Sequence, residues 1–302
     1  MPLHRHVAWL AATLLAVAAL CPNQALANPY DVSVLGLGRP IHDADAPTRW
    51  RSMTTELAFT LAPRALAPAE TLGVSGFEMS IANSLTDITE AADYWKGQAG
   101  EPVFEAPLSG RKTPKMLWTP TLHLRKGLPL STEIGIQGSY LSFSELFMVG
   151  AEFKIAIYES FFRWLPALAL RVAGGRLFGS SQIDMLTGEA DVMASLPFGV
   201  GGMCQVTPYV GFGEMFAHVN SYVIDETPYS VTDATNDQKG GTGGSLYGYD
   251  TLEWKNNYYP RAFGGLRMTW SMIELLFEYN LGIVRFTGHN VGTYSVKLGF
   301  DV

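Results

Sequence analysis

The final stretch of the chain, Thr293–Val302, alternates without a break. Tyr294, Val296, Leu298, Phe300 and Val302 are apolar, while Ser295, Lys297, Gly299 and Asp301 between them are polar or small. A period of two is the pattern of a strand with one apolar face and one wet face. Soluble chains rarely end on their best strand, because termini fray. A membrane barrel does so by necessity: its last strand must pair with its first, since hydrocarbon tolerates neither a sheet edge nor an unsatisfied backbone.

Segments with the same period recur upstream from Thr71. Phe77, Met79 and Ile81 form one such face, followed by Trp118, Leu122 and Leu124, then by Ile134, Ile136 and Tyr140. Val149 to Ile157, Leu168 to Val172, Ala190 to Leu196, a weaker set at Val206, Val210 and Phe212, Ala262 to Trp270, and Ile273 to Tyr279 continue the series. With the terminal segment these predict an all-β fold: a transmembrane antiparallel up-and-down β-barrel of about ten strands, with twelve as the alternative. Pro120, Pro166, Pro208 and Pro260 fall in or beside these runs. Each removes a ladder donor, and Pro120 and Pro208 stand against an uninterrupted strand.

Connection lengths supply an independent argument. The long links, near Asn83–Thr113 and Asn220–Asn257, follow odd-numbered strands; short ones near Arg125–Ser131, Glu159–Trp164, Pro197–Gly202 and Ser271 follow even-numbered strands. Barrels with short periplasmic turns and longer outer loops require this parity. Aromatic residues near the proposed strand ends, including Trp118, Tyr140, Phe161, Phe162, Trp164, Tyr258, Tyr259, Trp270, Phe286 and Phe300, suit the girdles of such a barrel.

Residues 1–27 read as a secretory signal peptide. Arg5 is the positive charge, Val7–Leu20 the apolar core, and Ala25-Leu26-Ala27 the small-x-small cleavage site. Loss of Cys21 would leave Cys204 alone, so no disulfide framework staples the exported chain. Residues 28–70 have a different texture and predict a periplasmic or plug segment, with helical spacing over Arg51–Leu66 and a helix inside or beneath the barrel; another strand pair is the alternative. Residues 71–302 form the barrel. A net charge of −7 argues against nucleic acid as a partner.

The face opposite the apolar stripe carries Glu133, Glu152, Lys154, Arg171, Glu189, Asp191, Arg261, Arg267, Glu274, Glu278 and Lys297. Such residues are costly against lipid and are expected to face the lumen. In a narrow barrel, opposite charges across the lumen either pair and seal it or form an eyelet for small polar solutes. For enzymatic chemistry the candidates are His218 near the outer rim, with Glu214 and Asn220, and His289 beside Asn290; neither forms a compact catalytic motif, so no enzyme is predicted. No metal-ligand or cofactor spacing appears. The glycine run Gly240–Gly244 and the acidic, aromatic loop around it read as a loop composition.

Together the signal peptide and residues 71–302 resemble bacterial outer-membrane β-barrel proteins. The motif that carries the resemblance is Tyr294-x-Val296-x-Leu298-x-Phe300-x-Val302, although the chain runs two residues past its last aromatic. Membership implies that the barrel assembly machinery recognises these residues, with outer-membrane lipid and other envelope proteins as partners. Tyr30–Pro40 is similar to the N-terminal hatch of long-chain fatty-acid transporter-like barrels. The functions implied are porin-like passage of small solutes through a charged lumen or, alternatively, a structural role in a larger envelope machine for secretion or motility. A hydrolase at the outer rim ranks behind both.

Overall fold

The structure, a computed structural model, describes residues 31–40, 43–96, 114–159, 165–201, 204–222, 248–284 and 289–301. The signal peptide, Phe161, Phe162, Trp164, Phe286, the glycine run and Val302 lie outside the described residues.

Eleven strands form one antiparallel sheet: β1 Phe77–Asp87, β2 Met116–Leu128, β3 Thr132–Tyr140, β4 Phe147–Tyr158, β5 Ala167–Phe178, β6 Ile183–Ser195, β7 Phe198–Val200, β8 Cys204–Ser221, β9 Tyr258–Trp270, β10 Ile273–Gly282 and β11 Val291–Asp301. Ten of them close a ring, because β11 pairs with β1 and β8 pairs with β6. The short β7 is an extra strand beside the start of β8. At the closing seam Met79 faces Phe300, Ile81 faces Leu298 and Asn83 faces Val296.

The register fixes the stagger of the ring. Gly188 on β6 faces Phe216 on β8 directly. Followed the other way, through Gly174, Ala151, Ile136, Leu124, Met79, Phe300, Ile273 and Trp270, the same row reaches β8 at Cys204, twelve positions before Phe216. A stagger of this kind tilts the strands, by roughly 35–45° in closed barrels.

The outward positions carry the alternation read from the sequence. Tyr294, Val296, Leu298 and Phe300 are all exposed on β11, and Lys297 between them is fully buried. Ile81, Ile136, Val149, Val172, Val192 and Phe212 are likewise exposed on the outer wall. An apolar outside around a charged inside is the inverse of a soluble protein, and it suits a wall immersed in hydrocarbon. Of the girdle candidates, Trp118, Tyr140, Tyr258, Trp270 and Phe300 are exposed. Tyr259 is not among them: it faces inward and bonds Thr55 Oγ1 at 2.8 Å.

The prolines are accommodated at ladder ends. Pro208 presents its backbone to β6, whose pairing with β8 stops one residue away at Ser195–Tyr209; its carbonyl accepts from Leu196 N–H at 3.1 Å. Pro260 does the same toward β10, accepting from Ile283 N–H at 2.9 Å just beyond the Gly282–Arg261 pair. Pro120 sits beside Asn83 on β1, one residue past the last β2–β3 pair, Thr121–Ser139. None of these positions demands the missing amide.

The N-terminal segment contains a helix, α1, at Ala46–Leu61, which starts and ends earlier than its spacing suggests. Pro47 is placed in its first turn, and Pro63 just past its end cannot continue it. Helix α1 is not at the mouth where β1 starts. It is seated in the opposite mouth, where Phe59 meets Gly282 at the end of β10 and Thr119 Oγ1 near the start of β2 reaches the Thr60 carbonyl. Around it lies an apolar core of Val34, Leu37, Trp50, Met53, Leu57, Leu141, Ile183, Met185, Met215, Ala217, Val219 and Tyr249. This core explains why β6 and β8 run longer than the alternation indicates. Below Gly213, Val210 and Phe212 point outward and Tyr209 inward; above it Met215, Ala217 and Val219 point inward, toward the helix, and of the apolar residues only Phe216 keeps the outward phase.

Candidate functional site

Two structures occupy the inside of the ring. The first is a cap across the long-link mouth. Glu56, buried on α1, accepts from Thr89 Oγ1 at 2.7 Å, Tyr94 O–H at 2.8 Å and Trp95 Nε1–H at 2.5 Å. Tyr94 and Trp95 belong to a short helix, α2 (Asp93–Lys96), in the link between β1 and β2. One carboxylate thereby ties that link onto α1. Burial, with the Glu56 charge beside it, pushes the Tyr94 phenol well above its usual range. From the β8–β9 link, Tyr249 stacks on Trp50 at 5.0 Å, and its hydroxyl donates to the Gly38 carbonyl at 2.5 Å. Gln182, between β5 and β6, accepts from Val34 N–H at 2.7 Å, and Asp31 accepts from Glu145 N–H at 2.7 Å. At the cap edge, the Asp45 backbone N–H and the Arg49 guanidinium hold the Asp43 carboxyl below its usual range.

The second is a thread, residues 62–72, that descends from α1 through the lumen. Ala65, Leu66 and Ala69 pack against inward-facing Ala82, Ala156, Ala169, Met193, Tyr209, Phe263 and Leu276. Space for it comes from glycines: a Cβ on Gly150 would lie 2.6 Å from Pro63, and one on Gly175 would lie 3.1 Å from it. The thread has no regular secondary structure, so the wall must satisfy its backbone. Leu66 N–H donates to Glu278 Oε2 at 3.1 Å, Ala69 N–H to Ser195 Oγ at 3.1 Å and Leu72 N–H to Glu133 Oε2 at 3.2 Å. Lys154 Nζ donates to the carbonyls of Pro68 and Glu70 at 3.1 and 2.9 Å.

Every charged residue expected to face the lumen is buried inside the ring. All but Glu278, which binds the thread, assemble into two ion-pair networks. In one, Arg171 bridges Glu152 at 2.6 Å, Glu189 at 3.0 Å and Asp191 at 2.8 Å, while Arg261 reaches the same Glu189 and Asp191 at 3.0 and 2.6 Å. His123 Nε2 meets the other oxygen of Glu152 at 2.9 Å. In the second, Lys297 pairs with Glu78 at 2.7 Å and Glu274 at 2.5 Å, and Arg125 pairs with Glu78 and Glu133. Lys154 lies 3.2 Å from Glu133, and Arg267 lies 3.2 Å from Glu70 of the thread. Shared carboxylates make these multi-ion clusters: Glu78, Glu133, Glu152, Glu189 and Asp191 each face two basic partners.

Several participants escaped the sequence reading. Glu78 and Arg125 sit on the inward phase of β1 and β2, so the alternation marks them as clearly as it marks Glu133. Glu56, Arg64 and Glu70 come from the N-terminal segment, whose pattern gives no inward face. At the rim, His218 points outward and stacks on Trp254 with ring centroids 5.8 Å apart; Asn220 lies 3.3 Å from its Nε2. Glu214 also lies on the outward phase of β8. Among the described residues, no group of three or more His, Cys, Asp or Glu is placed to hold a metal ion.

Fold and interior together define a class: a closed ten-stranded transmembrane β-barrel whose lumen is filled by its own N-terminal segment. No protein-family description matches the sequence, and no curated protein matches it. Solved structures similar to it include LpxR from Salmonella typhimurium (11% identity, 73% of this chain and 99% of that one, TM-score 0.33). The N-terminal β-barrel domain of Pseudomonas aeruginosa OprF (10% identity, 76% and 99%, TM-score 0.30) and the attachment invasion locus protein Ail of Yersinia pestis (13% identity, 76% and 99%, TM-score 0.28) are also similar.

Proposed function

We propose that this protein is an integral barrel of the bacterial outer membrane with a sealed lumen, acting as a structural or interaction component of the envelope. One observation carries this reading. The lumen charges that would line a solute path are committed to one another and to the thread, as Lys154 is to the Pro68 and Glu70 carbonyls and Glu278 is to the Leu66 amide. Porin-like passage requires displacing this thread and breaking those bonds. Rim hydrolysis has less support, because His218 faces outward against Trp254 and not into a cleft. The signal peptide at residues 1–27 and the terminal strand supply export and assembly in this reading.

Purified protein in a planar bilayer tests it. A sealed barrel gives no steady conductance, whereas steady single-channel currents from the wild-type protein favour porin-like passage. Crosslinking in cells followed by co-purification under the same conditions then identifies envelope partners.

A further inference from the structure

The N-terminal segment runs the length of the barrel in the direction opposite to β1. Its first described residues are bonded to links of the long-link mouth: Asp31 accepts from the backbone of Glu145 between β3 and β4, and Val34 donates to Gln182 between β5 and β6. Forty residues later in the chain, Thr71 N–H donates to Glu159 Oε1 at 3.0 Å, in the β4–β5 link at the other mouth. There Gly127 N–H donates to the Gly76 carbonyl at 3.0 Å, and the Lys126 ammonium gathers the carbonyls of Val74, Ser75 and Gly76. The chain then turns and climbs the wall as β1. Asp31 and the start of β1 therefore lie at opposite mouths.

We propose that the barrel carries its N-terminal segment through its own lumen, so that Asp31 and helix α1 lie on the cell surface while β1 and β11 begin and end on the periplasmic side. The side follows from the links. Outer-membrane barrels place short turns in the periplasm and long loops outside. The links that clamp Asp31, Val34, Trp50 and Glu56 belong to the long-link mouth, which includes 88–115 and 222–257.

Size constrains the route of assembly. A helix with its side chains is about 10–12 Å across, and the lumen it would traverse is lined by Arg125, Lys154, Arg171, Glu133 and Lys297, all buried and paired. Helix α1 does not fit past these groups once the ring is shut. The segment therefore passes these groups before β1 and β11 meet or as extended chain like residues 62–72, and α1 folds in the long-link mouth. This inference concerns which side of the membrane the cap occupies and is independent of whether the lumen conducts.

Cysteine accessibility in intact cells tests the proposal. In a Cys204→Ser background, Thr48→Cys places a thiol at the exposed start of α1, and Leu130→Cys places one in the short β2–β3 turn, where Leu130 is 90% exposed. A membrane-impermeant maleimide should label Thr48→Cys as fully in intact cells as after permeabilisation, and Leu130→Cys only after permeabilisation. A second pair, Ala44→Cys and Ser271→Cys, repeats the comparison at exposed sites on the two mouths. Protection of the α1 sites in intact cells, or equal labelling at both mouths, overturns the proposal.

Discussion

Glu278 on the barrel wall accepts the backbone N–H of Leu66 at 3.1 Å and the hydroxyl of Tyr209 at 2.7 Å through the same oxygen. A carboxylate that would otherwise border an open lumen instead fixes the thread at the point where Leu66 adopts a φ of 42°. That left-handed conformation costs an L-residue about 1 kcal/mol or more and persists only when its surroundings enforce it. Glu278→Ala leaves the amide and the phenol without their acceptor. Each buried unsatisfied group costs about 1–3 kcal/mol. The variant should unfold at lower urea concentration in lipid vesicles than the wild type, and intermittent conductance should appear in planar bilayers. Unchanged values of both would mean that Glu278 does not hold the thread.

Arg171 is shared by Glu152, Glu189 and Asp191. Arg171→Met removes one cation and leaves the acidic side of the network in excess. Breaking a buried ion pair from one side costs about 3–5 kcal/mol. The expected result is loss of the heat-modifiable, compact band on cold gels at a temperature where wild-type protein retains it.

Gly282 leaves room for Phe59. A Cβ there would lie 2.4 Å from the Phe59 ring, so Gly282→Leu overpacks the contact between β10 and helix α1. The cost is about 1–3 kcal/mol. Adding Phe59→Ala should recover part of the lost stability, because neighbouring sites couple in a double-mutant cycle. Strict additivity of the two substitutions in urea unfolding would argue that they do not touch.

Glu56 gathers Thr89, Tyr94 and Trp95 onto the cap. With Glu56→Ala, Thr89, Tyr94 and Trp95 lose their shared acceptor on α1, at about 1–3 kcal/mol for each donor left buried. Limited proteolysis of reconstituted protein should cut the link 88–115 faster, with the β-barrel fragment itself unaffected.

Val296 is at the centre of β11 and faces outward, next to the buried Lys297. Val296→Arg places a charge against the hydrocarbon and should destabilise the barrel by about 2–4 kcal/mol near the midplane. Folding titrations into vesicles measure it. A neutral effect would place this face away from lipid.

What was legible in the sequence was the wall. Where a strand has lipid on one side and the lumen on the other, its side chains alternate, and β11, β4 and β3 announce themselves by that contrast alone. The charges on the inward phase, from Glu133 to Lys297, were legible for the same reason. The alternation failed where the environment changes along one strand. The upper half of β8 turns Met215, Ala217 and Val219 inward onto the cap while Phe216 keeps the outward phase, so both faces carry apolar residues and the two-residue contrast is lost there.

The thread and the mouth in which α1 sits were decided by tertiary structure alone. Residues 62–72 alternate with nothing and form no regular element; their conformation comes from Glu278, Ser195, Glu133 and Lys154, contributed by four different strands. Local sequence determined that this chain builds a barrel with charge inside, because strand periodicity is a local property. Whether that charge lines a passage or grips a backbone depends on what the closed ring encloses, and only contacts between residues far apart in the chain settle it.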